Sequence, residues 1–288
     1  MGHALPQALL KMIIERARAV DPDFAFIAEE MNVDNAQKAK DHGYNMIIGN
    51  GFWMEPRIWE KKLHTFVYGA KDIALPMFAC AETHDTARVA GRDGGQTLAR
   101  LLTTLNMFLP NLVPFITSGQ EVYETQPMNT GVDCTEKDNY NLPKDDLFYG
   151  KLALFDKYAF HYMNPSRWEL ADHLDGIKRI RQAWLSSLTN LDCFVPIYMH
   201  EFDTPIIGLG YFNPETNKCL FVFANANVYG HVSCNASIQV VRDKVKNHSM
   251  AGKLVYATYE MPRDYHQFNP DGSIQLQMGP GELKIIEL

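Results

Sequence analysis

Four short apolar segments, each followed by a helical pattern, constrain the first two-thirds of the chain most strongly. Continuous apolar runs of this length are typical of strands buried on both faces of a parallel sheet. Repeated strand–helix units therefore predict a parallel sheet covered by helices. The four segments are FAFIAEEM (24–31), YNMIIGNGFW (44–53), LPMFACAETHD (75–85) and LVPFITSGQEV (112–122).

Two helical patterns, at 145–163 and 167–188, close this region, and the pattern changes after about Leu191. Short apolar strands such as KCLFVFANA and ELKIIEL then alternate with turn sequences such as NPETN and NPDGS. Regular short strands separated by turn residues predict an antiparallel β-sandwich. We therefore expect two domains, at 1–190 and 191–288.

Charge and cysteine usage limit the class of partner and the compartment. The formal net charge is −7, and the chain has no basic block, which excludes nucleic acid and an anionic membrane as expected partners. No apolar stretch reaches the length of a transmembrane helix. The cysteines are odd in number and scattered, a pattern of reduced thiols in a cytoplasmic protein. They are Cys80, Cys134, Cys193, Cys219 and Cys234.

Polar and charged side chains follow the predicted strands at the point where each strand ends. In parallel α/β folds, ligands and chemistry gather at these carboxyl ends. Three of the four strand ends carry a carboxylate, which suits glycoside cleavage by one protonated acid and one stabilising carboxylate. Clustered carboxylates also raise one another's pKa, which keeps an acid protonated near neutral pH. These residues are Glu29, Glu30, Asn50, Trp53, Glu82, His84, Asp85, Gln120 and Glu121.

Each of these residues also has a purely structural interpretation. Asp85 is suited to cap a following helix, the Glu29–Glu30 pair to lie on the surface, and Trp53 to lie in the core. A lone histidine such as His84 is commonly a hydrogen-bonded structural residue. Taken together and in order, the strand ends favour a functional site.

Several of these segments resemble the α-amylase superfamily, the family 13 glycoside hydrolases. FIAEEM, ETHDTAR and ITSGQEVYE are similar to the motifs of its fifth, seventh and eighth barrel strands, and MGHALP to the segment after its fourth strand. The predicted β-sandwich matches the family's C-terminal domain. The resemblance implies the C-terminal half, about strands 5–8, of a (β/α)8 TIM barrel followed by an antiparallel β-sandwich. Thr83, Trp53 and GQEVYE resemble the maltosyltransferase and glucanotransferase branches.

The resemblance also implies roles for individual residues in a retaining reaction on an α-1,4-glucan or maltooligosaccharide. Glu29 takes the part of the general acid/base, with Glu30 as the alternative, and Asp85 that of the stabilising carboxylate. No cofactor is implied. Calcium is common in the family, but its usual ligands would largely precede Met1, so a metal site stays open. The implied substrate-binding residues are His84, Arg88, Trp53, Glu30, Gln120 and Glu121.

The chain departs from the family in one large respect. A (β/α)8 barrel has eight strand–helix units in about 250 residues, whereas four strands precede the predicted sandwich. The nucleophile would lie upstream of Met1, so we expect the chain alone to be inactive. A fragment, a chain completed by a missing N-terminal half or by its own copy, and a degenerate relative are all open.

The sequence also bears on two other classes of function. A non-catalytic carbohydrate-binding or assembly protein of the same fold is the alternative, with Trp53 and Tyr123 as sugar contacts. A nucleotide-binding protein is disfavoured, because no strand is followed by GxGxxG or a Walker loop.

Overall fold

The computed structural model describes residues 5–51, 62–201, 203–238, 251–259 and 265–288. Trp53 lies outside the described residues. The helices are α1 (Gln7–Val20), α2 (Ala36–Asp41), α3 (Leu63–Ala70), α4 (Gly95–Leu105), α5 (Glu169–Ala183) and α6 (Leu185–Leu188). The first strands are β1 (Ile27–Ala28), β2 (Met46–Ile47), β3 (Met77–Ala79), β4 (Leu112–Pro114), β5 (Phe194–Pro196), β6 (Tyr198–Met199) and β7 (Ile206–Asn213). The remaining strands are β8 (Lys218–Asn225), β9 (Val232–Ser237), β10 (Ala251–Ala257), β11 (Tyr265–Gln267), β12 (Ser273–Met278) and β13 (Leu283–Glu287).

The first four strands form one parallel sheet in the order β1-β2-β3-β4. Each of the four apolar segments of the sequence supplies one strand. The strands are short, but backbone hydrogen bonds continue the pairing past them, as from Phe115 N to Ala79 O at 2.9 Å. Ile47, Met77 and Leu112 lie side by side on the buried face of this sheet.

Helix α4 is the most buried helix segment beside the sheet, as its strongly apolar sequence predicts. Leu98, Leu101 and Leu105 are fully buried and belong to the same core as the parallel sheet. The hydroxyl of Thr103 donates to Ala99 O at 2.6 Å and that of Thr104 to Arg100 O at 2.8 Å. These bonds satisfy two polar groups that would otherwise be costly to bury inside the core.

The C-terminal strands form two antiparallel sheets. The six-stranded sheet has the order β11-β10-β13-β8-β7-β5, and the three-stranded sheet the order β12-β9-β6. Along β8, Leu220 and Val222 face the core shared with the parallel sheet, whereas Phe221 and Phe223 face the second core, shared with β9 and β12. Strand β8 is therefore buried on both faces, which explains its continuous apolar run. The predicted mixed α/β class with antiparallel sheets is confirmed.

The helix predicted over 145–163 is wrong: this stretch folds as successive turns. Two aspartates take backbone donors that a helix would use, since Asp146 Oδ1 accepts from Phe148 N at 2.8 Å and Asp156 Oδ2 from Leu152 N at 2.7 Å. Gly150 adopts a φ of 74°, which a right-handed helix does not permit. Over the described ranges, no helix combines the length and apolarity needed to cross a membrane.

Candidate active site

Because β1 to β4 are parallel, the segments that follow them emerge at one edge of the sheet. Glu29 and Glu30 follow β1 directly, and the segment with His84 and Asp85 follows β3. The segment with Gln120 and Glu121 follows β4. The structure thus brings to one edge the predicted site residues that it describes.

The two glutamates after β1 have different surroundings. Glu30 is half-buried, and its two carboxylate oxygens accept from Asn32 N at 2.8 Å and from Asn35 Nδ2 at 3.0 Å. Glu29 is exposed. Both line a cavity of about 370 Å³ between the start of α1, the end of β1 and α2, which Lys38 and His42 also line. Glu30 therefore holds its own loop, whereas Glu29 lies at an open surface.

His84 and Asp85 form an exposed pair on the loop after β3. His84 Nε2 lies 3.2 Å from Asp85 Oδ2, and the two side chains are 62% and 48% exposed. Asp85 Oδ1 accepts from Asn129 Nδ2 at 3.0 Å. The turn is fixed by Thr83, whose backbone N donates to Thr86 Oγ1 at 2.8 Å and whose hydroxyl accepts from Asp85 N at 3.2 Å.

Asp85 does not cap a helix, which was its structural interpretation. The next helical turn is the 3₁₀ segment Val89–Gly91, preceded by Arg88 and without a side-chain cap. Helix α4 begins after Gly94, also without a side-chain cap. The carboxylate of Asp85 is therefore engaged only by His84, Asn129 and solvent among the contacts that the structure gives for it.

Arg88 forms a buried ion pair beneath this loop. Its Nη1 lies 2.6 Å from Glu82 Oε1, and both side chains are 0% exposed. Arg88 also donates to Ser118 O and to Gln126 O, each at 3.0 Å, and Glu82 Oε2 accepts from Val89 N at 2.6 Å. Burial raises the pKa of the Glu82 carboxyl, and the Arg88 charge opposes that rise. Arg88 thus ties the loops after β3 and β4 together.

Gln120 and Glu121 differ in burial, since Gln120 is buried and Glu121 is half-buried. Gln120 is 1% exposed, accepts from Thr117 N at 3.2 Å and donates to Thr103 Oγ1 at 2.7 Å, which fixes the end of β4 to α4. Glu121 Oε1 accepts from the hydroxyl of Tyr162 at 2.9 Å. Burial and this bond to Glu121 raise the pKa of Tyr162.

The long loop after β4 contains a cluster that the sequence reasoning missed. The carboxylate of Glu124 is fully buried and lies 2.8 Å from His161 Nδ1, and His161 Nε2 lies 3.1 Å from Asp146 Oδ2. Tyr158 OH also donates to Glu124 at 2.7 Å. Burial alone would raise the pKa of Asp146, but hydrogen bonds from Phe148 N and His161 lower it. The partners Glu124 and His161 are 37 positions apart, so local spacing gave no signal.

In the part of the chain that the structure describes, no group of three or more His, Cys, Asp or Glu side chains is arranged to hold a metal ion. At the strand ends, Glu29 and His84 are exposed, and the side chain of Asp85 is 48% exposed. Carboxylates of this kind are able to donate and accept protons and to hold sugar hydroxyl groups.

No protein-family model matches the chain, and no curated protein matches it in sequence. The similarity lies in the three-dimensional structure. Eubacterium rectale Amy13B superposes with a TM-score of 0.61 at 11% identity, covering 98% of this chain and 56% of that chain. A debranching enzyme of Nostoc punctiforme, soaked with acarbose, gives 0.59 at 15% identity, covering 97% and 54%.

A gamma-CGTase from alkalophilic Bacillus clarkii gives a TM-score of 0.62 at 13% identity, covering 99% of this chain and 39% of that chain. At such identities the similarity concerns the fold. The chain has the fold of these proteins along nearly its whole length, and it spans between 39% and 56% of theirs.

Proposed function

We propose that the chain is part of an α-glucan-active retaining glycoside hydrolase or glycosyl transferase of the α-amylase superfamily. The observation that carries this proposal is the pair of exposed carboxylates, Glu29 and Asp85, on loops at the same edge of one parallel sheet. The fold similarity supports it, since the similar proteins include a debranching enzyme and a gamma-CGTase. The maltosyltransferase or glucanotransferase branch is the narrower form of the proposal.

In the proposed reaction, Glu29 gives its proton to the glycosidic oxygen as the bond to the anomeric carbon breaks. A carboxylate nucleophile from outside this chain attacks that carbon and forms a glycosyl intermediate. Glu29 then takes a proton from water or from an acceptor hydroxyl, which displaces the nucleophile. Asp85, with His84 beside it, holds sugar hydroxyl groups as positive charge develops on the ring.

Exposure supports Glu29 over Glu30 in this role, since Glu29 is exposed and Glu30 is half-buried. Both oxygens of Glu30 accept hydrogen bonds from its own loop, from Asn32 N and Asn35 Nδ2. These two bonds hold the carboxylate of Glu30 against its own loop, which leaves it less available to a sugar. Among the other proposed contacts, His84 is exposed and Glu121 is half-buried, and Arg88 and Gln120 support the loops from beneath.

The parallel sheet supports a further part of the proposal, that more strands complete it as a barrel. Within the described ranges, β1 and β4 each pair on one side only. Ile27 and Val113, which alternate along their strands with the buried Ala28 and Leu112, are 49% and 41% exposed. Parallel sheets are normally covered on both faces. We propose that a further polypeptide segment covers the exposed face of this sheet and supplies both additional parallel strands and the nucleophile. A second copy of the chain is the alternative source of this cover.

The domain division at 190/191 and a cytoplasmic location belong to the same proposal. The five cysteines all lie within the described residues and form no disulfide bond there, and four of them are buried, which supports a reducing compartment. Burial raises the pKa of the Cys80 thiol to about 12, as expected for an inert structural cysteine.

The test is product analysis by mass spectrometry of the purified chain incubated with maltoheptaose. Glu29→Gln and Glu30→Gln form a matched pair of neighbouring substitutions. Products that fall by about 10²- to 10⁴-fold only in Glu29→Gln support the assignment. Equal loss in both variants, or loss only in Glu30→Gln, contradicts it.

If the wild-type chain forms no products, it is co-expressed with candidate segments that would complete the barrel, and native mass spectrometry checks whether an assembly forms. The same product assay is then repeated on that assembly. Products that appear only in the completed assembly support the proposed missing nucleophile.

The second candidate function is sugar binding without cleavage, which one feature favours. Tyr162 and Trp168 are exposed aromatic residues beside Glu121, and Trp168 Nε1 donates to Tyr162 O at 2.9 Å. Exposed aromatic faces are suited to stack on sugar rings, whereas Tyr123, expected from the sequence as a sugar contact, is 2% exposed and donates its hydroxyl to Glu169. Saturable calorimetric binding of maltoheptaose that is lost in Trp168→Ala, with no products in any assembly, would replace the enzymatic proposal by this one.

A further inference from the structure

Asn129, on the loop after β4, makes a direct contact with the carboxylate of Asp85. Its Nδ2 donates to Asp85 Oδ1 at 3.0 Å, and the other oxygen, Oδ2, lies 3.2 Å from His84 Nε2. Each oxygen of Asp85 therefore has its own partner. Because the side chain of Asp85 is 48% exposed, its rotamer is not fixed by packing alone.

Gly131 seats the same loop against the backbone of Asp85. A Cβ at this position would lie 2.6 Å from Asp85 O and 2.9 Å from Asp85 Cα. It would also lie 2.7 Å from Asn129 Oδ1. Distances of this kind are below van der Waals contact, so a side chain at 131 would push the loop away. The absence of a side chain at Gly131 lets Asn129 approach Asp85.

Gln126, shortly before Asn129 in the chain, anchors the loop to the core. The backbone carbonyl of Gln126 accepts from Arg88 Nε at 3.0 Å. The side chain of Gln126 donates to Asn139 O at 2.5 Å and to Lys151 O at 3.1 Å. Gln126 Oε1 accepts from Asn141 N at 3.0 Å. Gln126 is 0% exposed, so these bonds form in a protected environment where they hold the loop firmly.

We infer that Asn129 is a positioning residue that fixes the carboxylate of Asp85, and that Gly131 sets the distance at which it does so. Asn129 holds Oδ1, which leaves Oδ2 and His84 to face a sugar hydroxyl. This inference rests on the role proposed for Asp85. The buried pair of Glu82 and Arg88 contributes through Gln126, because Arg88 holds the loop that carries Asn129.

The first experiment compares crystal structures of the wild-type chain with Asn129→Ala and the isosteric Asn129→Asp. The matched controls are Asn139→Ala and Asn139→Asp, in the same loop at a side chain that does not contact Asp85. We expect the Asp85 carboxylate to leave its wild-type rotamer in both variants at 129, and in neither control. An unchanged rotamer in all five structures overturns the inference, whatever the chain does with maltodextrins.

The second experiment is a double-mutant cycle on maltoheptaose affinity, measured by calorimetry on the same assembly used for activity. Losing one hydrogen bond to a charged group predicts about tenfold weaker binding in Asn129→Ala. The same change in an Asp85→Asn background is expected to have no further effect, because the two residues act as one unit. Additive losses would indicate a general structural effect of Asn129 and contradict the inference. Unchanged affinity in Asp85→Asn alone would instead defeat the role proposed for Asp85, while the crystallographic result stands.

Discussion

The four-stranded parallel sheet and the six-stranded antiparallel sheet differ in how completely their faces are covered. Phe221 and Val222, neighbours on β8 that point to opposite faces, are both 0% exposed. On the parallel sheet, Met77 is fully buried on one face, whereas Val113 is 41% exposed on the other. The antiparallel region therefore buries its apolar surface within the chain, and the parallel region leaves apolar surface at one face and at its edges.

The difference follows from where each strand lies. Strand β8 pairs with β13 and β7 and lies between two cores, so no apolar side chain on it meets water. Strands β1 and β4 lie at the ends of their sheet as described, where unpaired backbone groups are available to another strand. We infer that the antiparallel region supplies most of the stability of the chain, and that the site lies on the less covered region.

The largest expected effect is on the ion pair under the site. Arg88→Met leaves the Glu82 carboxylate buried without its partner, which predicts a loss of roughly 3–5 kcal/mol in the free energy of unfolding. Urea denaturation measures it. The control is Arg179→Met, which breaks an exposed pair with Asp175 and is expected to have no measurable effect. Equal effects of the two substitutions on the free energy of unfolding would mean that the parallel region contributes little to the unfolding transition in urea.

A matched pair of valines tests the comparison of the two sheets directly. Val222→Ala removes a fully buried side chain and predicts a loss of roughly 2 kcal/mol, at about 0.8 kcal/mol for each methyl group plus a cavity contribution. Val113→Ala, on the open face, is expected to cost less than about 0.5 kcal/mol. A large loss in Val113→Ala would show that this face is covered in solution, by a second copy or another segment.

Tyr68 links the two regions and predicts a pH dependence. Its hydroxyl, on α3, donates to Gly208 O at 2.6 Å and accepts from Ile197 N at 3.1 Å. Burial raises the pKa of Tyr68 to about 12. An unfolded tyrosine has a pKa of about 10, so between about pH 10 and pH 12 the folded chain binds more protons than the unfolded chain. The stabilisation that the Tyr68 hydroxyl contributes is therefore complete below about pH 10 and is lost as the pH rises through about 12.

Tyr68→Phe is therefore expected to cost about 1–2 kcal/mol at neutral pH, and less as the pH approaches 12. Thermal unfolding from pH 7 to pH 12 measures the trend, with Tyr68→Phe compared with the exposed Tyr140→Phe. A constant difference between Tyr68→Phe and wild type across this range would contradict the link between the two regions through this hydroxyl.

The smallest expected effect is at the edge strand. Ile27 is 49% exposed on β1, so Ile27→Lys is expected to change the stability of the isolated chain by less than about 0.5 kcal/mol. The same substitution should block association with any segment that adds a strand at β1, since lysine on an edge strand opposes pairing. Native mass spectrometry of the variant and wild type distinguishes the outcomes, and unchanged association would move the proposed contact away from β1.

Much of the fold was predictable from local patterns. The four apolar segments each supplied a parallel strand, because short apolar runs between helical patterns have few other stable arrangements. The stretch 145–163 was predicted wrongly as a helix, since its apolar spacing did not reveal that Asp146 and Asp156 accept local backbone donors instead. The placement of the residues that follow the four strands at one edge of the sheet was also predictable, because the carboxyl ends of parallel strands lie at the same edge.

The sequence by itself determined which residues follow the parallel strands at one edge of the sheet, and the tertiary structure decided which of them reach the surface. His84 and Asp85 are exposed, whereas Arg88, a few positions further on, is buried against Glu82. Asn129 was invisible as a contact of Asp85, because 44 positions separate them. Local pattern encodes strands and turns, but burial and long-range contact depend on how distant segments pack, and single residues do not carry that information.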